Sequence, residues 1–392
     1  MIKLIKSTFY NEEKTKAELM EFIQSAQQLS FGPECEKFEA NFARYQGRKY
    51  CVFFNSGSSA NLALIQTLLN LGKVRKGESV GFSAVTWSTN IMPLIELGLN
   101  PIPVDVELDT LNMSSRTLRA TLQRSPVKLL FLTNLLGFCD DIDNIKEFCD
   151  KNKIVLIEDN CESLGTIYKR KKLGNFGLAS TFSFYIAHHL STIEGGAVCT
   201  GDEDIAVMLK LVRAHGGDRN LSAAKQQELR SRYGVASSFY ALYTFYDLGY
   251  NLRPTEISGF LGNVQLRYIE EIVKKRNENF MKLALPIYQE TDRYFPIRFN
   301  HIDFLSNFAV PVLCRSKMIR DELIQRCDGK IEIRPIVSGD MLIQPFFKKY
   351  VPQATLINSN SRIIHDQGLY FGNNPELTEE EISQIIHVFT QK

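Results

Sequence analysis

The feature that most constrains the fold is a regular alternation of strand and helix patterns across the first 200 residues. Short apolar runs rich in Val, Ile and Phe predict strands at Tyr50–Phe54, Ser79–Ala84, Pro101–Val106, Lys128–Thr133, Lys153–Glu158, Ser180–Tyr185 and Gly196–Thr200. Helical spacing appears between several of these runs, as at Ser58–Leu71 and Asp141–Lys151. Such alternation is typical of an α/β protein with a mostly parallel sheet and helices on both faces. In such sheets the ligand lies beyond the carboxyl ends of the strands.

The rest of the chain predicts a second, smaller unit. A helical pattern begins near Thr255 and continues through GNVQLRYIEEIVKKRNENF, which predicts one long connecting helix. Apolar runs at Phe304–Leu313 and Lys330–Ile336 precede a helical pattern at Thr378–Thr390, a mixture that predicts a small α+β domain. We therefore expect a large domain over residues 1–265 and a smaller C-terminal domain over residues 266–392.

Composition narrows the class of function. The 46 Lys and Arg residues nearly balance the 44 Asp and Glu residues and form no basic block, which argues against nucleic-acid binding. No apolar stretch reaches the roughly 18–20 residues that a membrane-spanning helix requires, and the chain does not begin like a signal peptide. Eight cysteines without a CxxC pair favour neither a disulfide scaffold nor a zinc site. We expect a cytoplasmic protein with reduced thiols.

Three segments that follow predicted strands carry the candidate chemistry. NSGSSAN (Asn55–Asn61) opens a helix where backbone N–H groups can bind an anion, although a serine-capped helix is the structural alternative. IEDNCESLG (Ile157–Gly165) puts Asp159 at a strand end, where it can face a ligand cation or cap a helix. FSFYIAHHLSTIEGG (residues 182–196) carries two adjacent histidines, of which at most one can face a given site. We expect the second of them, His189, to be structural.

In this order and spacing the segments resemble the DegT/DnrJ/EryC1/StrS sugar aminotransferase family of pyridoxal 5′-phosphate (PLP) enzymes, from about Phe31 onward. The resemblance implies the aspartate-aminotransferase-like fold of type I PLP enzymes, with a mixed, mostly parallel seven-stranded sheet. It also implies a set of cofactor contacts: phosphate binding by Gly57, Ser58 and Ser183, ring stacking by Trp87 in SAVTWSTN, a pyridine-nitrogen partner in Asp159, and a cofactor neighbour in Glu162. Asn251, in LGYNLRPTEISGFLGNVQL, is implied to reach the phosphate of a neighbouring subunit, and hence a homodimer with shared active sites.

One departure from the family decides the expected chemistry. The family motif Ser-Phe-Tyr/Phe-Pro-Thr/Ser-Lys reads SFYIAH over residues 183–188, so His188 stands where the family has its cofactor-binding lysine. Ile186 also replaces the proline of the motif. Imidazole cannot form an imine with the cofactor aldehyde. Ordinary lysine-linked transamination is therefore excluded at this position.

A histidine at this position resembles the sugar 3-dehydratase branch of the family, which makes 3,6-dideoxyhexoses. One kind of enzyme in this branch holds an iron–sulfur cluster through cysteines and works with a reductase, whereas the other has no cluster and takes its amino group from glutamate. Cys161 matches the first cluster ligand, but no cysteine lies between Cys199 and Cys314, and a cluster needs four donors. The resemblance, which IEIRPIVSG (residues 331–339) extends, implies the cluster-free kind with no metal and no reductase partner.

The resemblance implies a lyase that uses PLP and pyridoxamine 5′-phosphate (PMP), with L-glutamate as amino donor. It would remove the C3 hydroxyl of a nucleotide-linked 4-keto-6-deoxyhexose, expected to be GDP-4-keto-6-deoxymannose, in colitose-type synthesis for lipopolysaccharide O-antigen. His188 is the expected catalytic base, since imidazole ordinarily titrates near pH ~6.5. His215, Arg219 and Arg253 are candidates for binding a carboxylate or a pyrophosphate, with solvated surface charge as the alternative.

Two alternatives remain open. A CDP- or dTDP-linked 4-ketohexose would suit the same chemistry, because the sequence shows no base-recognition residue. A non-catalytic relative that binds PLP as a sensor or scaffold belongs to a different class. Against it, Trp87, Asp159 and Glu162 are all retained, and only the lysine is exchanged, for a residue suited to proton transfer. A scaffold of that kind would show no spectral change with glutamate.

Overall fold

The computed structural model describes residues 1–391, and its central feature is a seven-stranded sheet. The strands in chain order are β1 (Tyr50–Phe54), β2 (Ser79–Ser83), β3 (Asn100–Val104), β4 (Leu129–Thr133), β5 (Val155–Asp159), β6 (Ile167–Tyr168), β7 (Lys171–Lys172), β8 (Ala179–Ser183), β9 (Gly196–Thr200), β10 (Tyr294–Phe295), β11 (Ala309–Cys314), β12 (Ile333–Pro335) and β13 (Gly368–Gly372). The large sheet has the order β1-β9-β8-β5-β4-β2-β3. All seven strands predicted in the first 200 residues belong to it.

The direction of the strands in the large sheet explains where a ligand can bind. β3, β2, β4, β5 and β8 are parallel, whereas β9 runs antiparallel to both of its neighbours, β8 and β1. Their buried apolar side chains pack against helices on both faces, as expected for a sheet built by crossover connections. β1 therefore runs in the same direction as β8, and six strands deliver their carboxyl ends to one edge. The predicted α/β class and mixed, mostly parallel sheet are confirmed.

The helices cover the sheet and build the second unit. In chain order they are α1 (Glu12–Ser25), α2 (Pro33–Gln46), α3 (Gly57–Asn70), α4 (Met92–Glu96), α5 (Ser115–Leu122), α6 (Ile142–Lys151), α7 (Glu203–Arg213), α8 (Ala223–Arg232), α9 (Ser238–Ala241), α10 (Glu256–Leu266), α11 (Ile269–Tyr288), α12 (Lys317–Cys327), α13 (Pro345–Tyr350), α14 (Asn360–Gln367) and α15 (Glu379–Thr390). Short 3-10 turns occupy Ser88–Asn90, Leu135–Gly137 and Met341–Ile343. Among residues 1–391, every helix is too short or too polar to cross a lipid bilayer.

The single connecting helix predicted from Thr255 is wrong, because the structure has two helices there. α10 ends at Leu266 and α11 begins at Ile269. The apolar residues of α10 pack beside α2 and α1, whereas those of α11 reach the core shared with the second sheet. Since the two segments bury different faces against different partners, the helix axis breaks between them even though the helical periodicity of the sequence continues.

A smaller four-stranded sheet follows α11, with the order β10-β11-β13-β12, and α12, α14 and α15 lie beside it. The first residues of the chain also reach this region, since Ile2 forms a parallel bridge with Ile331 and the Leu4 N–H donates to Glu332 Oε2 at 2.9 Å. The division into residues 1–265 and 266–392 stays a prediction.

Candidate active site

A cavity of about 440 Å³ opens at the carboxyl ends of the parallel strands. This is the edge where open α/β sheets bind their ligands. Its lining includes seven residues singled out from the sequence: Gly57, Ser58, Trp87, Asp159, Glu162, Ser183 and His188. Of the described residues, four other predicted site residues lie outside this lining: Asn251, His215, Arg219 and Arg253. Residues more than 100 positions apart in the sequence thus meet in one chamber.

One end of the cavity has the features of an anion site. Ser56 precedes α3, and its Oγ accepts a hydrogen bond from the Ser59 N–H at 3.0 Å. The N–H groups of Gly57 and Ser58, in the first turn, have no helical carbonyl to bind, and the helix dipole favours negative charge there. A Cβ on Gly57 would lie 2.7 Å from the Cβ of Ser183, so only glycine allows the helix to approach β8 so closely. These groups could hold a phosphate.

Asp159 ends β5 and is held in one orientation by three donors. Its Oδ2 accepts from the side-chain amides of Asn90 at 2.7 Å and Asn61 at 3.3 Å, and its Oδ1 accepts from the Cys161 N–H at 2.9 Å. Sequence reasoning missed both asparagines, although Asn61 closes NSGSSAN and Asn90 closes SAVTWSTN. The carboxylate is buried but still lines the cavity, where it can face a cationic ring nitrogen.

The imidazole of His188 is fixed with one nitrogen engaged. Its Nδ1 lies 2.6 Å from the main-chain oxygen of Cys161. Because a carbonyl only accepts, Nδ1 carries the proton in the neutral ring, and Nε2 is left with a free lone pair. The ring also packs 5.4 Å from the ring of Phe308, centre to centre. Burial lowers the pKa of His188 to about 4, so the ring is neutral and basic at Nε2 at physiological pH.

Glu162 lies in the same cavity with an opposite shift. Burial raises the pKa of its carboxyl to about 8, and the charge of Asp159 raises it further. Its Oε2 accepts from the Leu136 N–H at 2.8 Å, in a turn where Leu136 adopts a left-handed φ of 53°. At neutral pH the Glu162 carboxyl is therefore mainly protonated.

The rest of the lining combines a predicted residue with residues that the sequence did not connect to the site. Trp87, 54% exposed, lies on one side of the cavity, and Tyr185 and Tyr370 also line it. Arg334, on β12 of the smaller sheet, is the one arginine or lysine in the part of this lining that the structure describes. It forms an ion pair with Glu332 at 2.9 Å. Arg334 lies in IEIRPIVSG, the segment that extends the family resemblance, but sequence reasoning assigned neither Arg334 nor Tyr370 to the site.

The four predicted residues outside the cavity lie close together on an exposed segment. His215, with a left-handed φ of 62°, donates its N–H to the Tyr250 oxygen at 2.7 Å, and a bridge joins Ala214 to Asn251. Arg253 Nε donates to Asn251 Oδ1 at 3.0 Å. Arg219 donates through Nη2 to the main-chain oxygen of Leu242 at 2.6 Å. Within one protomer these groups do not reach the cavity.

The residues of the cavity fit pyridoxal phosphate. A glycine-lined helix start offers donors to a phosphate, a fixed carboxylate offers a partner to a pyridinium nitrogen, and an exposed indole offers a face for an aromatic ring. The side-chain oxygens of Asn61 and Asn90 are buried and have no hydrogen-bond partner within residues 1–391, so they can still accept hydrogen bonds at the centre of the site. The one feature of a PLP enzyme that is missing is a lysine at residue 188.

The sequence matches the DegT/DnrJ/EryC1/StrS aminotransferase family over residues 10–390. The chain belongs to this family. A GDP-4-keto-6-deoxy-D-mannose 3-dehydratase from Escherichia coli O55:H7 is 33% identical over 383 residues, which are 93% of this chain and 94% of that relative. These likenesses confirm the family expected from the sequence.

Two solved structures closely resemble the structure of this chain. Both are GDP-4-keto-6-deoxymannose-3-dehydratases with a TM-score of 0.89 and 30% identity, covering 99% of this chain and 100% of theirs. One is a histidine-to-asparagine mutant with bound GDP-perosamine, and the other contains a trapped PLP–glutamate geminal diamine. They confirm the predicted fold of type I PLP enzymes.

Proposed function

We propose that the chain is a glutamate-dependent sugar 3-dehydratase that uses PLP and PMP. The enzyme class and the cofactor expected from the sequence, a PLP-dependent dehydratase, are confirmed by the relatives named above. One observation carries the proposal: the residue in the lysine position is an imidazole fixed through Nδ1, with Nε2 free. Such a group can move a proton but cannot trap the cofactor covalently.

The cofactor supplies an amine for the substrate ketone and a ring that accepts electrons. His188 takes a proton at Nε2 and returns it, and its hydrogen bond to Cys161 keeps the ring in place during both transfers. Asp159, clamped by Asn61 and Asn90, holds the ring nitrogen protonated. With no covalent link available, Gly57, Ser58 and Ser183 must retain the phosphate. Trp87 covers one face of the ring.

The favoured substrate is GDP-4-keto-6-deoxymannose, with L-glutamate as amino donor. Support comes from the two similar solved structures, of which one contains bound GDP-perosamine and the other a trapped PLP–glutamate geminal diamine. The alternative, a CDP- or dTDP-linked 4-ketohexose, would need the same cavity but a different base-binding surface. The product would be a 4-keto-3,6-dideoxy sugar for colitose-type O-antigen synthesis in the cytoplasm, without a reductase partner.

We further propose that two copies of the chain share their active sites. Asn251, His215, Arg219 and Arg253 lie on one exposed segment, beside a group of exposed apolar side chains: Phe239, Tyr240, Leu242, Tyr243 and Phe245. Exposed apolar groups of this size are typical of an interface between chains. If this segment packed against a second copy, Asn251 would reach the phosphate of the cofactor bound to that copy. His215, Arg219 and Arg253 would then reach the substrate in the same site.

The test is a reaction containing the protein, PLP, L-glutamate and GDP-4-keto-6-deoxymannose, followed by mass spectrometry. We expect a sugar product that has lost one oxygen, together with ammonia and 2-oxoglutarate. A sugar with an amine in place of its ketone would overturn the role of His188. Unchanged sugar with 2-oxoglutarate formed would keep the glutamate half-reaction and would move the proposal to the CDP- and dTDP-linked sugars.

Three variants separate the role of His188 from general damage. His188→Asn should lose dehydration by about 100-fold or more, the usual contribution of a general base. His188→Lys should capture the aldehyde, which a shift of the cofactor absorbance would report. His387→Gln, on the exposed last helix, is the control and should keep full activity. Full dehydration by His188→Asn would contradict the assignment, and no spectral change with glutamate in the native protein would favour a non-catalytic scaffold.

A further inference from the structure

A second, smaller cavity adjoins the candidate active site and shares His188 with it. Its volume is about 30 Å³, which is enough for one small ion or for one or two water molecules. His189 and Arg276 line it together with the N-terminal residues 7–10. The proposed mechanism uses neither His189 nor Arg276. Both side chains are nevertheless more than nine-tenths buried, at 3% and 5% exposure.

Arg276 is a buried cation whose protein partners are main-chain carbonyls. Its Nη1 donates to the oxygens of Asn373 and Phe308, and its Nη2 donates to the oxygen of His188 at 3.3 Å. Its Nε has no partner among the described residues. Burial lowers the pKa of this guanidinium to about 9, with no nearby carboxylate opposing the shift. A buried charge is costly unless an opposite charge compensates it.

His189 adds a second unpaired donor to the same cavity. Neither of its ring nitrogens has a partner of full hydrogen-bond geometry among the described residues, and the interaction with the main chain of Ser306 only partly opposes the lowering of its pKa. Burial lowers its pKa well below the usual value, so the ring is neutral and carries one N–H. A buried donor without an acceptor costs free energy comparable to a lost hydrogen bond. The imidazole N–H and the guanidinium Nε–H therefore both require an acceptor.

No polar side chain of the described lining forms a hydrogen bond with the Arg276 Nε or with the His189 ring. Ser7, Thr8 and Gln265 can donate as well as accept. Glu376 is the carboxylate in the described lining, and its Oε2 accepts from Ser7 Oγ at 2.5 Å. The cavity thus joins a buried positive charge to a surplus of donors. A water molecule would satisfy the donors but would leave the charge of Arg276 uncompensated.

We propose that this cavity binds one small monovalent inorganic anion of chloride size, held by the Arg276 guanidinium and the His189 N–H. The volume of about 30 Å³ suits a single halide. Arg276 also donates a hydrogen bond to the main-chain carbonyl of His188. An anion bound to Arg276 would therefore help to hold in place the residue that carries the imidazole. The site is separate from the phosphate cradle at Gly57 and Ser183.

Crystals of the full chain grown with sodium bromide in place of sodium chloride test the proposal directly. Bromide scatters anomalously and replaces chloride in most halide sites. We expect one anomalous peak within hydrogen-bond distance of Arg276 and His189. Water density at this position, in a crystal whose surface sites are labelled by bromide, would overturn the proposal.

Thermal melting gives a second readout that needs neither cofactor nor substrate. At constant ionic strength, replacing gluconate with chloride should raise Tm saturably, because a ligand that binds only the native state stabilises it. Arg276→Gln should abolish this rise, whereas Arg124→Gln, at an exposed position, should keep it. If Arg276→Gln does not fold, His189→Phe keeps the volume, removes the N–H and should reduce the rise. An equal rise in all variants would contradict the site.

Discussion

At the scale of single residues, the site depends on hydrogen bonds that fix proton positions. The Cys161 carbonyl determines the tautomer of His188, and the amides of Asn61 and Asn90 orient Asp159. Glu162 is mainly neutral in the same cavity because burial raises its pKa. The cavity therefore holds three different groups close together: a proton acceptor, a fixed carboxylate and a protonated acid. This is the pattern expected of acid–base chemistry.

The pH dependence of the dehydration reaction should report the pKa of His188. Burial lowers this pKa to about 4, so Nε2 stays unprotonated down to about pH 5 and activity is lost below that. We expect kcat/KM for the nucleotide sugar to fall with an acid limb near pH 4. Emission from Trp87, the one tryptophan of the chain, checks that the protein remains folded. A limb near the ordinary value of ~6.5 would contradict the buried, neutral imidazole.

Glu162→Gln should stabilise the cofactor-free protein at high pH. The native carboxyl has a raised pKa of about 8, so the unfolded state binds fewer protons between pH 4.5 and 8, and stability falls as pH rises through that window. The variant lacks this pH-dependent loss of stability. Its free energy of unfolding should exceed that of the native protein by about 2–4 kcal/mol at pH 8, and the difference should vanish near pH 4. Urea unfolding at several pH values measures it. Glu380→Gln, on the exposed surface, is the control, and an equal gain there would contradict the assignment.

Much of the cavity could be predicted from sequence because its residues lie in short segments directly after strands. Gly57 and Asp159 follow predicted strands and Ser183 lies near the end of another, so the topology alone brings them together. Arg334 and Tyr370 could not be found in this way. They lie on the second sheet, and their place in the cavity depends on how that sheet packs, which no local pattern records.

At the scale of elements, the phosphate end of the cavity depends on how closely α3 approaches β8. The contact between Gly57 and Ser183 leaves no room for a side chain on the helix. The strands of this region were predictable within two residues, since each is a short buried apolar run. The break between α10 and α11 was not, because it arises from packing against different partners, and helical periodicity runs through it.

Gly57→Ala should therefore weaken cofactor binding by at least about tenfold, the effect of losing one good phosphate contact. The new Cβ would lie 2.7 Å from the Cβ of Ser183 and would push the helix start away from β8. Titration of the cofactor-free protein with PLP, followed by absorbance, gives the Kd. Gly201→Ala is the matched control, since its Cβ would meet open space. Equal Kd values in the two variants would argue against a phosphate at this helix start.

At the scale of the whole molecule, the exposed segment that carries Asn251 leaves several large apolar side chains in contact with solvent. Phe239 is 78% exposed and Tyr243 is 71% exposed, and the Arg219 guanidinium lies over the ring of Tyr243. Large apolar groups of this kind are rarely left in water. A second copy would bury them and would complete each cavity with residues from its partner.

Mixing two inactive variants tests this arrangement. If each site takes His188 from one protomer and Asn251 from the other, a heterodimer of His188→Asn and Asn251→Ala has one fully native site. Statistical exchange of subunits should then restore about a quarter of the native activity, since half of the dimers are mixed. Each variant alone, at the same total concentration, is the control. No recovery after exchange, verified by native mass spectrometry, would place Asn251 outside the site.

The position of β9 has a consequence for the order in which the chain becomes structured during its synthesis. β1 pairs with β9 and with no other strand in the described part of the large sheet, yet β9 begins at Gly196, far along the chain. A ribosome that adds about 5–20 residues per second would need on the order of 10–30 s to supply that partner. Until then β1 is an unpaired apolar edge, and the start of α3 lacks its contact with a β8 that is paired on both sides. A nascent chain therefore gains its phosphate site only after about half of its length has been translated.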